Sequence, residues 1–276
     1  MPRTITIKPV TTPAEKRQIA ELLFEKDQPF IPLTSLGELK GSALFFFGAA
    51  MADDGRIRAT ASYAEWLAGC NEGEPPGIAD TTIFELASSL VRDPFGGFEA
   101  PVPTVQQALT FARLMEILGA DIFPRQPGEP AARRGLCIMT AIAHQNERSR
   151  VGMTGAGMIR LEKLPRWLHY EHRCWFPRIA AHGTRDPGQE ADYFWFPAPA
   201  VRKFIAFMAP YVDGKPLVRK SRDEKSPREE FLLNIDIPSV RRIVQVFGSM
   251  QRAAAQLDLA QLRPPPTLAI IGDSTF

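Results

Sequence analysis

The chain has 276 residues, 45% of them hydrophobic and 23% charged, ordinary values for a soluble globular protein with room for one large domain or two modest ones. Lys and Arg number 33 against 31 Asp and Glu, too even a balance for a nucleic-acid binder, and no apolar run approaches the roughly twenty residues that cross a bilayer. The three cysteines (Cys70, Cys137, Cys174) are far apart and odd in number, which argues against a disulfide framework and for a reducing compartment.

The opening MPRTITIKPV has no apolar core of signal-peptide length, so the expected location is the cytoplasm. Within it Thr4 to Val10 alternates as a strand does. Thr12 then reads as a helix cap, with Pro13 at the first helical position and Glu15 three residues after the cap; Ile19, Leu22 and Leu23 carry the apolar stripe. Gln28 to Pro32 is a hydrophobic loop. Ala43–Met51 and Ile57–Trp66 are two strand-like runs joined by Asp53-Asp54-Gly55, a hairpin signal because glycine supplies the positive φ. Residues 67–80 are too rich in Gly and Pro for regular structure.

The chain is organised around residues 81–120. Ile83 to Val91 reads as a strand, stopped at Arg92-Asp93-Pro94 because proline has no N–H for the ladder. Gly96 and Gly97 follow, and then a helix opened by Thr104, with apolar residues at helical spacing and Gly119 at its end. A strand, a glycine turn and a helix bring backbone N–H groups to a helix entrance, where a phosphate or pyrophosphate sits; plain packing produces the same pattern. Glu85 lies among Ile83, Phe84, Leu86 and Ala87, where an unpaired charge is expensive to bury, so it either points outward or has a task.

Gly135 to Ala143 reads as another buried strand, followed by a short polar helix from His144 that ends near Gly152; Gly152 to Leu161 then reads as a glycine-rich turn into a final strand. Gly155-x-Gly157 lacks the third glycine and the following helix of a nucleotide loop. Beyond Lys163 aromatics concentrate between Trp167 and Phe196, and helices are expected at Pro199–Met208 and Pro238–Leu257. The first 163 residues carry 17 Lys and Arg against 19 Asp and Glu, the remainder 16 against 12, with much of the excess in Lys215–Arg228, a solvated loop or a docking patch for an acidic partner. His169 and His172 share a helical face, with Cys174 and His182 near in sequence, but the spacing matches no structural zinc pattern and no metal is expected.

The segment E-L-A-S-S-L-V-R-D-P-F-G-G-F, residues 85–98, resembles the central motif of the GNAT acyltransferase superfamily, a strand followed by proline, an aromatic residue and a glycine-rich loop that holds the pyrophosphate of coenzyme A. The strand at 135–143 and the Asn146-Glu147-Arg148 that follows resemble the order found in GNAT proteins, in acyl-homoserine-lactone (autoinducer) synthases and in N-acyl amino acid synthases. The resemblance covers roughly residues 4–163. It implies an α+β fold with a GNAT-like central mixed sheet flanked by helices over 1–163, and a mainly helical, aromatic-rich extension over 164–276.

The resemblance also implies an N-acyltransferase that moves an acyl group from an acyl-CoA or acyl-carrier-protein thioester to an amine acceptor, amino acid-like or homoserine lactone-like. In that reading Glu85 is the base, Ser88 and Ser89 donate to thioester or substrate, the backbone of Leu90, Val91 and Arg92 pairs with pantetheine, and the amides of Gly96, Gly97 and Phe98 meet the pyrophosphate. No tightly bound cofactor is implied; acyl-CoA or acyl-phosphopantetheine is a co-substrate, an acyl carrier protein is a candidate partner, and self-association stays open. The chain departs from the family in lacking an Arg or Gln before the glycines, in placing Glu99 beside them, and in having Glu85-x-x-Ser88 where homoserine-lactone synthases have Glu-x-x-Arg. A carrier-bound donor, with one phosphate, suits so weak a loop better. The competing reading is a non-catalytic GNAT-like domain that binds a ligand or partner.

Overall fold

A computed structural model describes residues 2–24, 42–66, 81–92, 95, 98, 101–119, 135–143, 147–161, 191–219 and 228–265. Among them one nine-stranded mixed sheet runs through β1 (Arg3–Pro9), β2 (Ser42–Met51), β3 (Ile57–Trp66), β4 (Thr81–Val91), β5 (Gly135–Ala143), β6 (Ile159–Arg160), β7 (Ala191–Trp195), β8 (Leu217–Arg219) and β9 (Glu229–Ile235), in the spatial order β6-β7-β5-β4-β3-β2-β1-β9-β8. Only β4–β5 and β1–β9 are parallel pairs. The helices are α1 (Pro13–Phe24), α2 (Val105–Leu118), α3 (Glu147–Gly155), α4 (Ala198–Val212), α5 (Pro238–Phe247) and α6 (Met250–Ala254).

Local chemistry explains most of these elements. Asp54 accepts the Arg56 amide at 2.9 Å and Gly55 takes φ 64°, which turns β2 into β3. At α1 the Thr12 hydroxyl accepts the Glu15 amide at 3.2 Å while the Glu15 carboxylate accepts the amides of Thr12 and Thr11 at 3.0 and 3.1 Å. At α2 Thr104 and Gln107 make the same reciprocal box, at 3.2 and 2.8 Å. The α2 helix buries Val105, Ala108, Leu109, Phe111, Ala112, Leu114, Met115 and Leu118, too wide a face for a surface helix, and it is the centre of the larger core. On the other face of the sheet, Ile19 and Leu22 of α1 meet Phe46, Ala50 and Ile57 in a second, smaller core.

The C-terminal segment is knitted into the same sheet. β7 lies between β5 and β6, so the final strand expected after the glycine-rich turn reaches the sheet only through β7. β9 pairs in parallel with β1, and β8 continues from it, taking up the start of the basic stretch that reads as a loop. α4, α5 and α6 add to the core on the α2 face.

Two helical expectations are corrected. The single helix over Pro238–Leu257 is broken into α5 and α6, because Gly248 takes φ 76° and the Asp213 carboxylate accepts the amides of Met250 and Gln251 at 2.6 and 2.9 Å. Gly152 to Gly155, expected as a turn, forms the end of α3, and the turn falls at Gly157 instead, with φ 82°. No helix of the described residues is long and apolar enough to cross a membrane.

Burial works against ionisation of Glu15, but Lys8 at 2.7 Å and the amides of Thr12 and Thr11 outweigh it and hold the carboxyl down at about 2. A folded value below the unfolded one stabilises the fold above about pH 4.5, and this contribution fades as the pH falls toward 2. Glu15→Gln should therefore cost about 1 kcal/mol at pH 7 and nothing near pH 2. Urea unfolding across that range measures it.

Candidate functional site: a cleft where β4 and β5 part

The β3–β4 ladder holds Ala59 opposite Val91 and Thr60 opposite Leu90, then resumes with Ser62 opposite Ala87. Ala61 thus faces two residues of β4, Ser88 and Ser89, which is a β-bulge on β4. An extra residue shifts the side-chain alternation by one. Leu86 and Leu90, four apart, would share a face on a regular strand; Leu86 packs in the α2-side core and Leu90 against the α1-side core.

The bulge coincides with the end of the parallel pairing. β4 and β5 are in register from Thr81 and Gly135 to Leu86 and Thr140 and no further, although β4 continues to Val91 and β5 to Ala143. At the last paired position the Thr140 hydroxyl donates to the Leu86 carbonyl at 2.7 Å. Beyond it β5 stays paired with β7 on its other side, Ile142 opposite Asp192. The two central strands therefore part into a cleft.

Arg113 of α2, which is 3% exposed, supports the bulge. Its guanidinium donates to the Ser62 carbonyl at 2.8 Å, where the ladder resumes, and to the Thr110 hydroxyl at 2.8 Å. Burial pushes the guanidinium down to about 9, still charged at neutral pH. A buried arginine on an apolar helix is the one signal in the sequence that would have drawn attention to it.

Glu85 sits one residue before the strands part and is 7% exposed. Its side chain lies on the face opposite to Phe84 and Leu86, the face it shares with Met139 and, one strand further, with Tyr193. Burial first, and the charge of Glu85 second, push the Tyr193 phenol far above its ordinary range, so it is a neutral O–H beside a carboxylate. Sequence reasoning missed Tyr193, because only the strand order brings β7 beside β5.

The other expected site residues are dispersed. The Arg92 amide donates to the Arg58 carbonyl at 2.9 Å and its carbonyl accepts the Phe95 amide at 2.9 Å, so Arg92 is directed at β3 and its own loop. Alternation along an antiparallel ladder gives Leu90 the same direction and turns the N–H and C=O of Val91 toward the side that β5 has left. Phe98 is placed away from the cleft: it bridges Arg219 of β8, at the far edge of the sheet, and its ring lies edge-on to Phe231 at 5.5 Å. The cause is apolar: Phe231 is buried and needs a cover at that sheet end. At the mouth of α2 the capping box consumes the amides of Thr104 and Gln107, leaving those of Val105 and Gln106 outside it.

Gly96 and Gly97 lie outside the described residues, as do His169, His172, Cys174, His182 and the side chains of Ser88 and Ser89. Among the described residues no group of three or more His, Cys, Asp or Glu is placed to hold a metal ion.

No family model and no curated protein matches the sequence. Among solved structures the chain is similar to FeeM, an N-acyl amino acid synthase from uncultured soil microbes, at 14% identity and a TM-score of 0.42, over 73% of this chain and 94% of that one. It is similar to the GNAT domain of S. lividans PAT at 11% identity and 0.38, over 69% and 88%, and to FdhC, a nucleotide-linked sugar GNAT, at 11% and 0.37, over 74% and 92%. The strand order, the parallel central pair and the helix that follows β4 make up a mixed α/β fold.

If Arg113 holds the bulge, Arg113→Met should lower the unfolding free energy by about 1–3 kcal/mol, the usual consequence of stripping a buried acceptor of its donor. Amide hydrogen exchange should rise first at residues 60–64 and 86–91. A uniform rise across the sheet would mean that Arg113 serves the core alone.

Proposed function

We propose that the protein is an N-acyltransferase that moves an acyl group from a coenzyme A or acyl-carrier-protein thioester to a small amine acceptor. The observation that carries this reading is the parting of β4 and β5 beyond Leu86 and Thr140, with the Val91 backbone turned to the gap and the buried Glu85 at its root. An extended pantetheine arm can add to the open edge of β4 as a strand would, through amide hydrogen bonds that require no particular side chain. That leaves its thioester near the apex of the cleft.

The chemistry follows from the groups there. Glu85 takes a proton from the acceptor ammonium, and the freed nitrogen attacks the thioester carbonyl. The tetrahedral intermediate collapses with cleavage of the C–S bond, and the neutral Tyr193 phenol is the proton donor for the departing thiolate. The proton on Glu85 returns to solvent, and Tyr193 regains its own from the second proton that the acylated nitrogen sheds as it becomes the amide. Ser88 and Ser89, at the bulge, are proposed donors to the developing oxyanion, and Gly96 and Gly97 are proposed amides for a phosphate of the donor. With Phe98 engaged at β8 and α2 capped by its own residues, a carrier-bound donor with one phosphate fits better than the pyrophosphate of free coenzyme A. The cytoplasm remains the proposed location, and residues 1–163 the proposed catalytic domain.

A second reading, a GNAT-like domain that binds a thioester or another ligand without turning it over, is favoured by the same capped entrance of α2. One experiment separates the two. The protein is incubated with a panel of acyl-CoA and acyl-carrier-protein donors and a mixture of amines, and mass spectrometry follows the acylated products while thermal unfolding follows binding. A product supports the transferase; a rise in Tm without product supports the binding domain; neither result with any donor removes both. In the active case Glu85→Gln should cost roughly 10²–10⁴ in kcat with donor binding retained. Wild-type turnover in that variant would remove Glu85 from the mechanism.

A further inference from the structure

A second concavity lies away from the cleft, on the β1–β2 side of the sheet. β1 ends at Pro9, the Val10 amide makes a last bond to the Phe46 carbonyl at 2.8 Å, and the chain turns into α1. β2 runs on to Ser42 in register with β3 but without β1 beside it. The gap left by the early end of β1 is a cavity of about 270 Å³, just under the range of drug-sized sites and large enough for a small metabolite.

Its wall is aromatic. Phe45 is 43% exposed and stacks on Tyr63 with ring centroids 4.9 Å apart and planes at 21°. Phe47 and Phe84 brace Tyr63 from behind, at 6.1 and 5.9 Å. An exposed Phe by itself needs no explanation. Here it belongs to a cavity that also carries one charge of each sign, Lys16 from α1 and Glu116 from α2.

These two charges come from helices on opposite faces of the sheet and do not pair with each other. Among the described residues Glu15, the nearest acid in sequence to Lys16, is taken by Lys8, and Glu116 has only a long contact from the Ser239 hydroxyl, at 3.5 Å. Burial, and after it the charge of Glu116, push the Tyr63 phenol up, so it stays a neutral donor at neutral pH. A cavity that offers an aromatic wall together with a lone ammonium and a carboxylate is complementary to a molecule with an apolar body and both charges.

We propose that this cavity binds a small zwitterion, a free amino acid with an apolar or aromatic side chain, its ammonium toward Glu116, its carboxylate toward Lys16 and its side chain against Phe45 and Tyr63. Tyr63 points to the α2 side and Glu85 to the other, with β3 and β4 between the cavity and β5, so this site is separate from the cleft and does not depend on the acyl-transfer reading.

Calorimetric titration of the full chain with L-phenylalanine tests it, beside phenethylamine and 3-phenylpropionate, which keep the ring and one charge each. The expected result is saturable binding of L-phenylalanine, weakened at least about tenfold in either one-charge analogue and in both Glu116→Gln and Lys16→Met, the loss expected for one charge-assisted contact. Both residues are exposed at the surface, and an unchanged Tm certifies the fold of each variant. Phe45→Ala gives an independent reading of the aromatic wall and should weaken binding likewise. Equal affinity for phenethylamine, absence of heat with L-phenylalanine up to about 10 mM, or wild-type affinity in the two charge variants would each overturn the proposal.

Discussion

One extra residue in β4 organises the candidate site of this molecule. Where Ser88 and Ser89 together oppose Ala61, the strand shifts phase, Leu90 crosses to the α1 face, and β4 no longer follows β5. A regular β4 would keep its hydrogen bonds to β5 to the end and present a closed, fully buried sheet with no backbone left to offer. The bulge exchanges those bonds for an edge in the middle of the sheet. Such an interruption is costly unless the released groups find partners, and two side chains supply them: Thr140 on the Leu86 carbonyl and the buried Arg113 on that of Ser62.

The rest of the fold keeps this defect rigid. α2 lies under β1 to β4 with nearly all its apolar residues buried, so Arg113 projects from the best-anchored helix of the molecule. β7 completes the outer side of β5 and holds it in place after it leaves β4. At the other edge β9 takes up the free side of β1, and Phe98 of the loop after β4 is tied to β8 over Phe231. Segments from the last third of the chain thus fix both flanks of the cleft between β4 and β5.

The same economy produces the cavity near Phe45. In each place a strand stops pairing with its neighbour before its neighbour ends, β5 with β4 and β1 with β2, and an edge inside the sheet becomes a concavity. The two differ in chemistry. The cleft has a buried carboxylate and a phenol at its root and free backbone along its side, whereas the cavity has an aromatic wall and two opposite charges at its rim.

Local chemistry alone determined much of what is seen. The caps at Thr12 and Thr104, the Asp-Gly turn, the apolar strand runs of β1 to β5 and the isolation of Glu85 in an apolar strand depend on neighbours a few residues away, so they are written in the sequence. The break at Gly248 needed Asp213, which lies 35 residues before it in the chain, to cap α6. The placing of Tyr193 beside Glu85, the departure of Phe98 to β8, and the parting of β4 from β5 are matters of register and strand order. Spacing along the chain does not specify register between distant strands; the packing of α2, β7 and β9 against one core decides it, because only one alignment buries all their apolar faces together.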